Sequence, residues 1–395
     1  MGMTRRRALR LWMAGSERPE PRGVLVNLFL RGGADGLNLV PPHAEDAYYS
    51  ARPSLAIARP DGRSDDRSKT AIDLDGFFGL HPALRPLKPL YDGGQLAIVH
   101  AVGSDDRTRS HFEAQDLMER GGAAGRNPGS GWLARHLRTR AESGTPLAAV
   151  AIGETIPESL RGAPGASAVR RVDAFSIQLP PDRRATFDRA LHRLYEAEGG
   201  QLGAAGLQVL ESVAAMNRLD ASEGESHSGA AYPEGELGDA LRQVARLIRA
   251  RVGLEIACVE LGGWDTHFVQ ATLFGSLAGA LAQGLAAFAA DLASDWNRTT
   301  IAAMTEFGRR VRENVSLGTD HGRAGVMFVL GGGVRGGRVI ADWPGVAADR
   351  LEGPGDVRVT TDYRDVLGEI VAVRLGNERV AEVFPGHTVR PIGIV

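Results

Sequence analysis

Two short loops each place a carboxylate beside an imidazole, two side chains that bind divalent cations in proteins. In the run Thr319–Gly322 (TDHG), Asp320 and His321 are adjacent and lie on a loop after a predicted buried strand. In the run GGWDTH, Asp265 and His267 are two residues apart. Residues two apart in an extended segment project to the same side, so this second pair can share a cation. For Asp320 and His321 the alternative is an Asx-type turn with a surface histidine.

A third acid follows the first strongly apolar segment of the chain. The segment Gly23–Leu30 (GVLVNLFL) predicts a buried strand, and the glycine-rich loop RGGADGLN after it contains Asp35. Because α/β folds bind ligands outside the carboxyl ends of their strands, Asp35 is a candidate site residue. Its alternative role is that of a turn aspartate between glycines.

A serine lies where a helix is predicted to begin. Ser110 followed by Glu113 fits a capping box, in which the hydroxyl would only satisfy the helix terminus. A hydroxyl at a helix N-terminus, beside His111 and near Arg107 and Arg109, is also how an activated nucleophile meets an anionic substrate. From the sequence, both roles stay open for Ser110.

These loops converge only if the strands before them belong to one sheet. Apolar segments that predict strands alternate along the chain with amphipathic segments that predict helices. This alternation predicts an α/β fold with a mostly parallel central sheet and helices on both faces. The main predicted strands are Gly23–Leu30, Gln95–Val102, Leu147–Ile152, Glu255–Leu261, Thr299–Thr305 and Val326–Leu330.

The composition limits the classes of partner. The 395 residues include 43% hydrophobic and 24% charged side chains, with a net charge of -2 and a pI near 6.6. This balance argues against an obligate nucleic-acid or membrane-surface partner. The single cysteine, Cys258, excludes a disulfide within the chain and nearly excludes a thiolate metal site. We also expect no stable membrane insertion, since no segment reads as a bilayer span.

The N-terminal residues carry a separate signal. Thr4–Arg10 (TRRRALR) resembles a twin-arginine export signal, but only the short apolar stretch Leu11–Ala14 follows it. Such signals continue into an apolar region of about 7–15 residues. We therefore interpret residues 1–22 as a shortened or vestigial signal and residues 23–395 as a single domain. The expected location is cytoplasmic as the chain stands, and periplasmic if the signal functions.

Six segments in order along the chain resemble the motifs of one bacterial family. They are LFLRGGADGLN, FGLHPAL, RSHFEAQD, LGGWDTH, MTEFGRR and GTDHG. Through them the chain resembles domain-of-unknown-function family 1501, whose members often carry twin-arginine signals. That family distantly resembles the alkaline phosphatase and sulfatase superfamily, in which Asp-His-Gly late in the chain is typical. The resemblance implies an alkaline-phosphatase-like α/β domain.

The superfamily resemblance also implies a two-metal site with a serine nucleophile. Six side chains would hold the two ions, namely Asp35, Asp320 and His321 for the first and Asp265, His267 and His387 for the second. The catalytic group would comprise Ser110, His111 and Arg109, with Thr108 as a substitute nucleophile and Arg107 as a substitute phosphate ligand.

We therefore expect a metal-dependent hydrolase that acts on small-molecule phosphate or related esters. Oxygen and nitrogen ligands suit two zinc, manganese or magnesium ions. Two alternatives stay open. One is a non-catalytic member of the fold that binds a ligand or partner, and the other is a metal-dependent lyase or mutase on the same scaffold.

Overall fold

The computed structural model describes residues 23–60, 69–140, 145, 147–172, 181–217 and 229–395. The twin-arginine-like segment 1–22 lies outside these residues, so its interpretation stays a prediction. The described strands in chain order are β1 (Val24–Leu30), β2 (Ile72–Asp73), β3 (Gly79–Leu80), β4 (Leu96–Gly103), β5 (Ala149–Ile152), β6 (Ser167–Val169), β7 (Ile256–Leu261), β8 (Thr299–Met304), β9 (Arg309–Glu313), β10 (Thr319–His321), β11 (Gly325–Gly331), β12 (Arg338–Ile340) and β13 (Thr361–Asp362).

Nine of the described strands form one central sheet. Eight follow the order β12-β4-β11-β8-β1-β7-β5-β6, and β13 also pairs with β4. Every neighbouring pair is parallel except the two that β11 makes with β4 and β8. The predicted α/β fold with a mostly parallel sheet is therefore confirmed.

The central strands are buried on both faces, as β1 illustrates. All seven of its residues are buried, and successive side chains point to opposite faces. Val26 and Leu28 enter the core on one face, whereas Leu25 and Phe29 enter the core on the other. A continuous run of apolar residues is what a parallel strand with two covered faces requires.

Helices cover both faces, as predicted. The described helices are α1 (Gly36–Leu39), α2 (Asp46–Ala51), α3 (Lys88–Asp92), α4 (His111–Glu119), α5 (Trp132–Thr139), α6 (Pro181–Glu198), α7 (Gly200–Asn217), α8 (Glu236–Arg249), α9 (Gln270–Asp291), α10 (Tyr363–Val373) and α11 (Val380–Val383). Leu241 of α8 and Phe288 of α9 join the core of Val26. Trp132 of α5 and Ile370 of α10 join the core of Leu25.

Helix α9 is the one described helix that is long and apolar enough to cross a membrane by length and composition. Half of its most apolar window is buried inside the protein, and Leu281, Leu285 and Phe288 belong to the core beside the sheet. This packing is that of a core helix, which fits the expected lack of stable membrane insertion.

The strand directions bring the candidate loops to one edge of the sheet. Among the described strands of the central sheet β11 alone is reversed, so β1, β4, β7 and β8 all end at the same edge. After β8, the small antiparallel sheet of β9 and β10 pairs His321 with Arg309, so Asp320 and His321 lie on a strand and the prediction of a loop here is wrong. The loop with Asp35, the segment before α4, the Asp265 loop and the Asp320–His321 strand thus follow strands that end at this edge.

Candidate metal-binding site

Three imidazoles approach one carboxylate oxygen at this edge. Oδ1 of Asp265 lies 3.1 Å from His267 Nε2, 3.2 Å from His321 Nε2 and 3.5 Å from His111 Nε2. The Nε2 atoms of His267 and His321 are 2.8 Å apart. We call these four residues the histidine cluster. Ligands of a tetrahedral zinc ion stand roughly 3.3 Å from one another, given zinc–ligand distances of about 2.0–2.1 Å. The ligand atoms of His111, Asp265 and His321 lie within 4.8 Å of one another, which is the spacing of a candidate metal site, and His267 adjoins them through His321.

Glu306 fixes the orientation of His111. Its buried carboxylate accepts hydrogen bonds from His111 Nδ1 at 2.7 Å, Gln115 Nε2 at 2.8 Å and Gly32 N at 2.9 Å. Burial alone would raise the pKa of Glu306, but these hydrogen bonds hold it at about 2. The hydrogen bond to Glu306 in turn raises the pKa of His111. With Nδ1 engaged, the buried His111 Nε2 has no hydrogen-bond partner among the described residues and faces the cluster.

A strained backbone segment fixes His321. Its Nδ1 donates to the carbonyl oxygen of Arg109 at 2.8 Å. Arg109 has a left-handed backbone with φ of 56°, and its guanidinium pairs with the buried carboxylate of Asp356. Non-glycine residues in this conformation are uncommon and concentrate at functional sites. Arg109 thus contributes its carbonyl to the site while its guanidinium is engaged elsewhere.

The third imidazole, that of His267, lies beside Asp320. His267 Nδ1 lies 3.5 Å from Asp320 Oδ1, and that carboxylate also accepts from Asn314 Nδ2 at 3.1 Å and Arg310 Nη1 at 3.3 Å. The hydrogen bond from Asn314 and the charge of Arg310 lower the pKa of Asp320. Each histidine of the cluster therefore has Nδ1 next to an oxygen and Nε2 next to Asp265. Outer oxygen partners of this kind fix the tautomer of metal-binding histidines.

Arg309 holds the cluster from the protein interior. Its buried guanidinium donates to Asp265 Oδ1 at 2.7 Å and to the carbonyl oxygens of Gly33, Trp264 and Thr319 at 2.7, 3.1 and 2.9 Å. Burial would raise the pKa of Asp265, but Arg309 and the neighbouring imidazoles hold it at about 2. Asp265 is therefore anionic, and 47% of its side chain is exposed.

An aromatic wall completes the described surroundings. The ring of Phe307 lies 4.8 Å from the His111 ring and 4.9 Å from the His321 ring, centroid to centroid. Burial disfavours the charged form of His321 and lowers its pKa. A neutral imidazole is the form that binds a metal ion.

The structure does not bring every candidate to the cluster. Asp35 is fully buried, and its oxygens lie 2.5 and 3.1 Å from the guanidinium of Arg52 and 2.5 Å from Gln270 Nε2. These partners occupy both oxygens, so Asp35 does not face the histidine cluster. His387 Nε2 donates to Oδ1 of Asp365 in α10 at 2.7 Å, and His387 likewise lies outside the cluster.

Ser110 occupies the N-cap position of α4, but its side chain makes no cap hydrogen bond within the described part of the chain. The capping-box interpretation is therefore wrong. Glu113, the other member of the box, is exposed. Thr108 is also exposed, and its hydroxyl bonds to Asp106 at 2.8 Å. Arg107 is exposed beside this segment.

Two parts of the site have no clear local signal in the sequence. Glu306 follows β8 within MTEFGRR, where the sequence leaves open a substitute metal ligand or an ion pair with Arg309 or Arg310. Arg52 lies in an irregular segment with no motif around it. The sequence indicated part of the role of His111, because His111 and Gln115 are four residues apart and therefore lie on one face of the predicted helix. Both contact Glu306.

The protein therefore has an α/β fold with a candidate metal-binding site at the carboxyl edge of its mostly parallel sheet. A family model described as "Protein of unknown function (DUF1501)" matches residues 23–365. The chain belongs to this family. No curated protein matches the chain.

Several solved structures resemble the chain at low identity. Ps i-CgsB in complex with k-i-k-neocarrahexaose is 10% identical, with 91% of this chain and 73% of that chain covered and a TM-score of 0.34. The lipoteichoic acid synthase LtaP from Listeria monocytogenes is 8% identical, with 94% and 74% covered and a TM-score of 0.35. Alkaline phosphatase from the Antarctic bacterium TAB5 is 10% identical, with 79% and 92% covered and a TM-score of 0.28. At this level the likeness carries no argument about the site.

Proposed function

We propose that the protein is a metal-dependent hydrolase of phosphate or related esters whose ion is bound by the histidine cluster. The observation that carries this proposal is the convergence of three Nε2 atoms on Asp265 Oδ1, at 3.1, 3.2 and 3.5 Å. A group of histidines that served only packing would not need every Nδ1 beside an oxygen and every Nε2 beside the same carboxylate.

The donor set favours zinc and a single ion. Imidazole ligands suit zinc better than magnesium, which prefers oxygen ligands. A second ion would need further free carboxylates, but Arg52 neutralises Asp35 and Arg309 binds Asp265 from the interior. We therefore propose one ion per chain in place of the two that the superfamily resemblance implies. An ion held here would supply Lewis acidity that stabilises negative charge on the ester group.

The chain supplies the remaining functions of a hydrolytic site. Glu306, the Arg109 carbonyl and Asp320 hold the three imidazoles in place. Ser110 lies between Arg109 and His111, and its hydroxyl is not used as a helix cap. We assign it as the nucleophile. Its oxygen would bond to phosphorus while the bond to the ester alkoxide breaks, the hydroxyl proton would pass to the departing alkoxide, and water would then hydrolyse the phosphoserine.

Elemental analysis of protein purified without chelators or an affinity metal tests the metal part. We expect about one zinc ion per chain in the wild type and loss of the ion in Asp265→Ala and His111→Ala. His387→Ala is the matched control, because this histidine pairs with Asp365 outside the cluster, and it should retain the ion. Full metal content in both cluster variants would contradict the site.

A screen of phosphate esters with Ser110→Ala tests the catalytic part. We expect this variant to keep its metal and its fold while turnover is lost, because no cap hydrogen bond is removed. The wild type should form a serine adduct that mass spectrometry detects as added phosphate on the peptide with Ser110. Unchanged turnover in Ser110→Ala would exclude the serine as the nucleophile.

A further inference from the structure

Half of the large apolar side chains that are exposed in the described ranges, six of twelve, belong to segments that form or adjoin the histidine cluster. Exposed apolar side chains that gather in one place mark binding surfaces, whereas single ones are ordinary. We call this group the apolar rim. It consists of Phe112, Phe268, Val269, Leu273, Val315 and Leu317.

Two rim residues are attached directly to cluster histidines. Phe112 follows His111 and is 88% exposed, and Phe268 follows His267 and is 62% exposed. Both histidines approach Asp265 Oδ1, from 3.5 and 3.1 Å. The two phenyl groups therefore belong to separate segments of the chain that meet at the cluster.

Three further rim residues, Val269, Val315 and Leu317, are held at the same place by hydrogen bonds, and Leu273 lies in the first turn of α9 that follows. The loop 314–318 carries two rim residues and lies against the segment after His267. Val269 N and Gln270 N donate to carbonyl oxygens of this loop at 3.0 and 2.9 Å. The side chain of Asn314 donates to the His267 carbonyl at 2.8 Å. The rim therefore has a defined position relative to the cluster.

Two rim residues adopt an unfavourable backbone conformation. Val269 and Leu317 have φ of 41° and 58°, in the left-handed region. A β-branched residue such as valine is a marked outlier there. The core gains little from either side chain, since they are 46% and 52% exposed. Strain that is kept at exposed positions beside a site is typical of a functional constraint.

We infer that the rim binds the hydrocarbon part of an amphiphilic ester, a molecule in which an alkyl or acyl chain is joined to a phosphate or related head group. This inference rests on the proposed function, in which the cluster binds the head group. The rim adjoins the cluster, so its occupant is part of the same molecule. A group that reaches the rim from the cluster must be covalently linked to the ester. A folded protein on the rim would instead cover the cluster and block access to it.

The test measures the binding of inorganic phosphate and of n-alkyl phosphates with four, six and eight carbons to the zinc-loaded full chain by calorimetry. We expect the dissociation constant to fall about twofold to fourfold per added methylene, as for burial of a methylene group. The rim variant is Phe268→Ser with Leu317→Asn, because asparagine tolerates the left-handed conformation. It should lose this dependence and still bind zinc and inorganic phosphate.

Val373→Ser is the matched control. Val373 is a 59% exposed apolar residue at the end of α10, and the next residue, Arg374, approaches Gly23 at the opposite edge of the sheet. This variant should keep the chain-length dependence of the wild type. A serine substitution that acted only through surface polarity would affect both variants equally.

The possible failures are distinct. A wild type without chain-length dependence, or a rim variant that keeps it, would overturn the inference while leaving the metal site intact. A wild type that binds neither zinc nor inorganic phosphate would contradict the proposed function itself. Binding to phosphatidylcholine vesicles, without chain-length dependence for dissolved alkyl phosphates, would overturn the inference in favour of a bilayer-docking surface.

Discussion

Asp35 and Asp265 follow the adjacent parallel strands β1 and β7 and lie at the same edge of the sheet, but their surroundings differ. Asp35 is fully buried, with the guanidinium of Arg52 and the amide of Gln270 on its oxygens. Asp265 is 47% exposed and faces three imidazoles as well as Arg309. Both carboxylates contact a guanidinium, but only Asp265 also contacts imidazoles, which can bind a metal ion.

This difference gives Asp35 a structural role and Asp265 a role in the candidate metal site. A guanidinium cannot lose its proton in a protein, so the pair of Asp35 and Arg52 is permanent. A neutral imidazole offers a lone pair, so Asp265 lies in a site that a metal ion can complete. Gln270 connects the two regions, because its Nε2 donates to Asp35 and its Oε1 accepts from Thr266 and Thr319 at 3.0 and 2.7 Å. The Asp35 region thus forms the base on which the cluster loops rest.

The largest effect that distinguishes the two regions should be on stability. Asp35→Ala leaves the guanidinium of Arg52 buried without its carboxylate, and we expect the free energy of unfolding to fall by about 3–5 kcal/mol. Urea unfolding measures this change. The folded fraction should still bind zinc. The double variant Asp35→Leu with Arg52→Met removes both charges and should recover most of the loss. A zinc defect without a stability defect would place Asp35 with the cluster.

Asp265→Ala should show the reverse pattern. We expect the zinc affinity to fall by more than about 100-fold, beyond the range for outer partners of a metal site. The metal-free protein should lose about 1–3 kcal/mol, less than Asp35→Ala, because the guanidinium of Arg309 is buried but the carboxylate of Asp265 is 47% exposed and Arg309 keeps its carbonyl partners. Competition with a chromophoric chelator gives the affinity, and urea unfolding gives the stability. Unchanged affinity would remove Asp265 from the site.

Metal removal should change the stability of the wild type by a smaller amount. At a free zinc concentration 100-fold above the dissociation constant, the bound ion adds about 2.7 kcal/mol to the free energy of unfolding. A chelator should abolish this gain, which thermal unfolding with and without zinc detects. Asp265→Ala should show no gain, whereas Asp35→Ala should show the full gain on its lower baseline. An equal gain in Asp265→Ala would indicate zinc binding elsewhere.

The smallest effect should come from the outer partner of His111. Glu306→Gln keeps an oxygen acceptor for His111 Nδ1 but removes the negative charge, and we expect the zinc affinity to fall by about 10-fold to 100-fold. The same chelator competition measures it. Gln115→Ala is the control, because Gln115 contacts Glu306 without entering the cluster. Its zinc affinity should fall by less than that of Glu306→Gln. If Gln115→Ala matched Glu306→Gln, the charge of Glu306 would have no special role.

Much of the fold follows from local patterns. Apolar runs such as Val24–Leu30 and Thr299–Met304 are long enough and rich enough in β-branched or aliphatic residues to predict buried strands. Their alternation with helices predicted the parallel sheet, which the structure confirms. The reversal of β11 within the central sheet was not predicted, because an apolar run has the same appearance in either direction.

The candidate site likewise has residues that the sequence identified and residues that it did not. The motifs GGWDTH and TDHG carry their acids and histidines within three residues of each other, so the sequence could identify Asp265, His267, Asp320 and His321 as candidates. Placing Asp35 with them rested on a shared sheet edge and on a family resemblance. Neither argument contains the position of Arg52, which is 17 residues away in the chain and enters the interior at Asp35.

The sequence by itself determined the order of strands and helices along the chain and the acids and histidines that follow the strands. Those features depend on side-chain periodicity and on neighbours a few residues away. Only the tertiary structure decided that Asp35 is buried against Arg52 away from the imidazoles, that His111 joins the cluster, and that His387 pairs with Asp365 instead. These outcomes depend on contacts between residues 17 to more than 200 positions apart, such as Gln270 with Asp35. Packing of the whole chain, and no local propensity, sets such contacts.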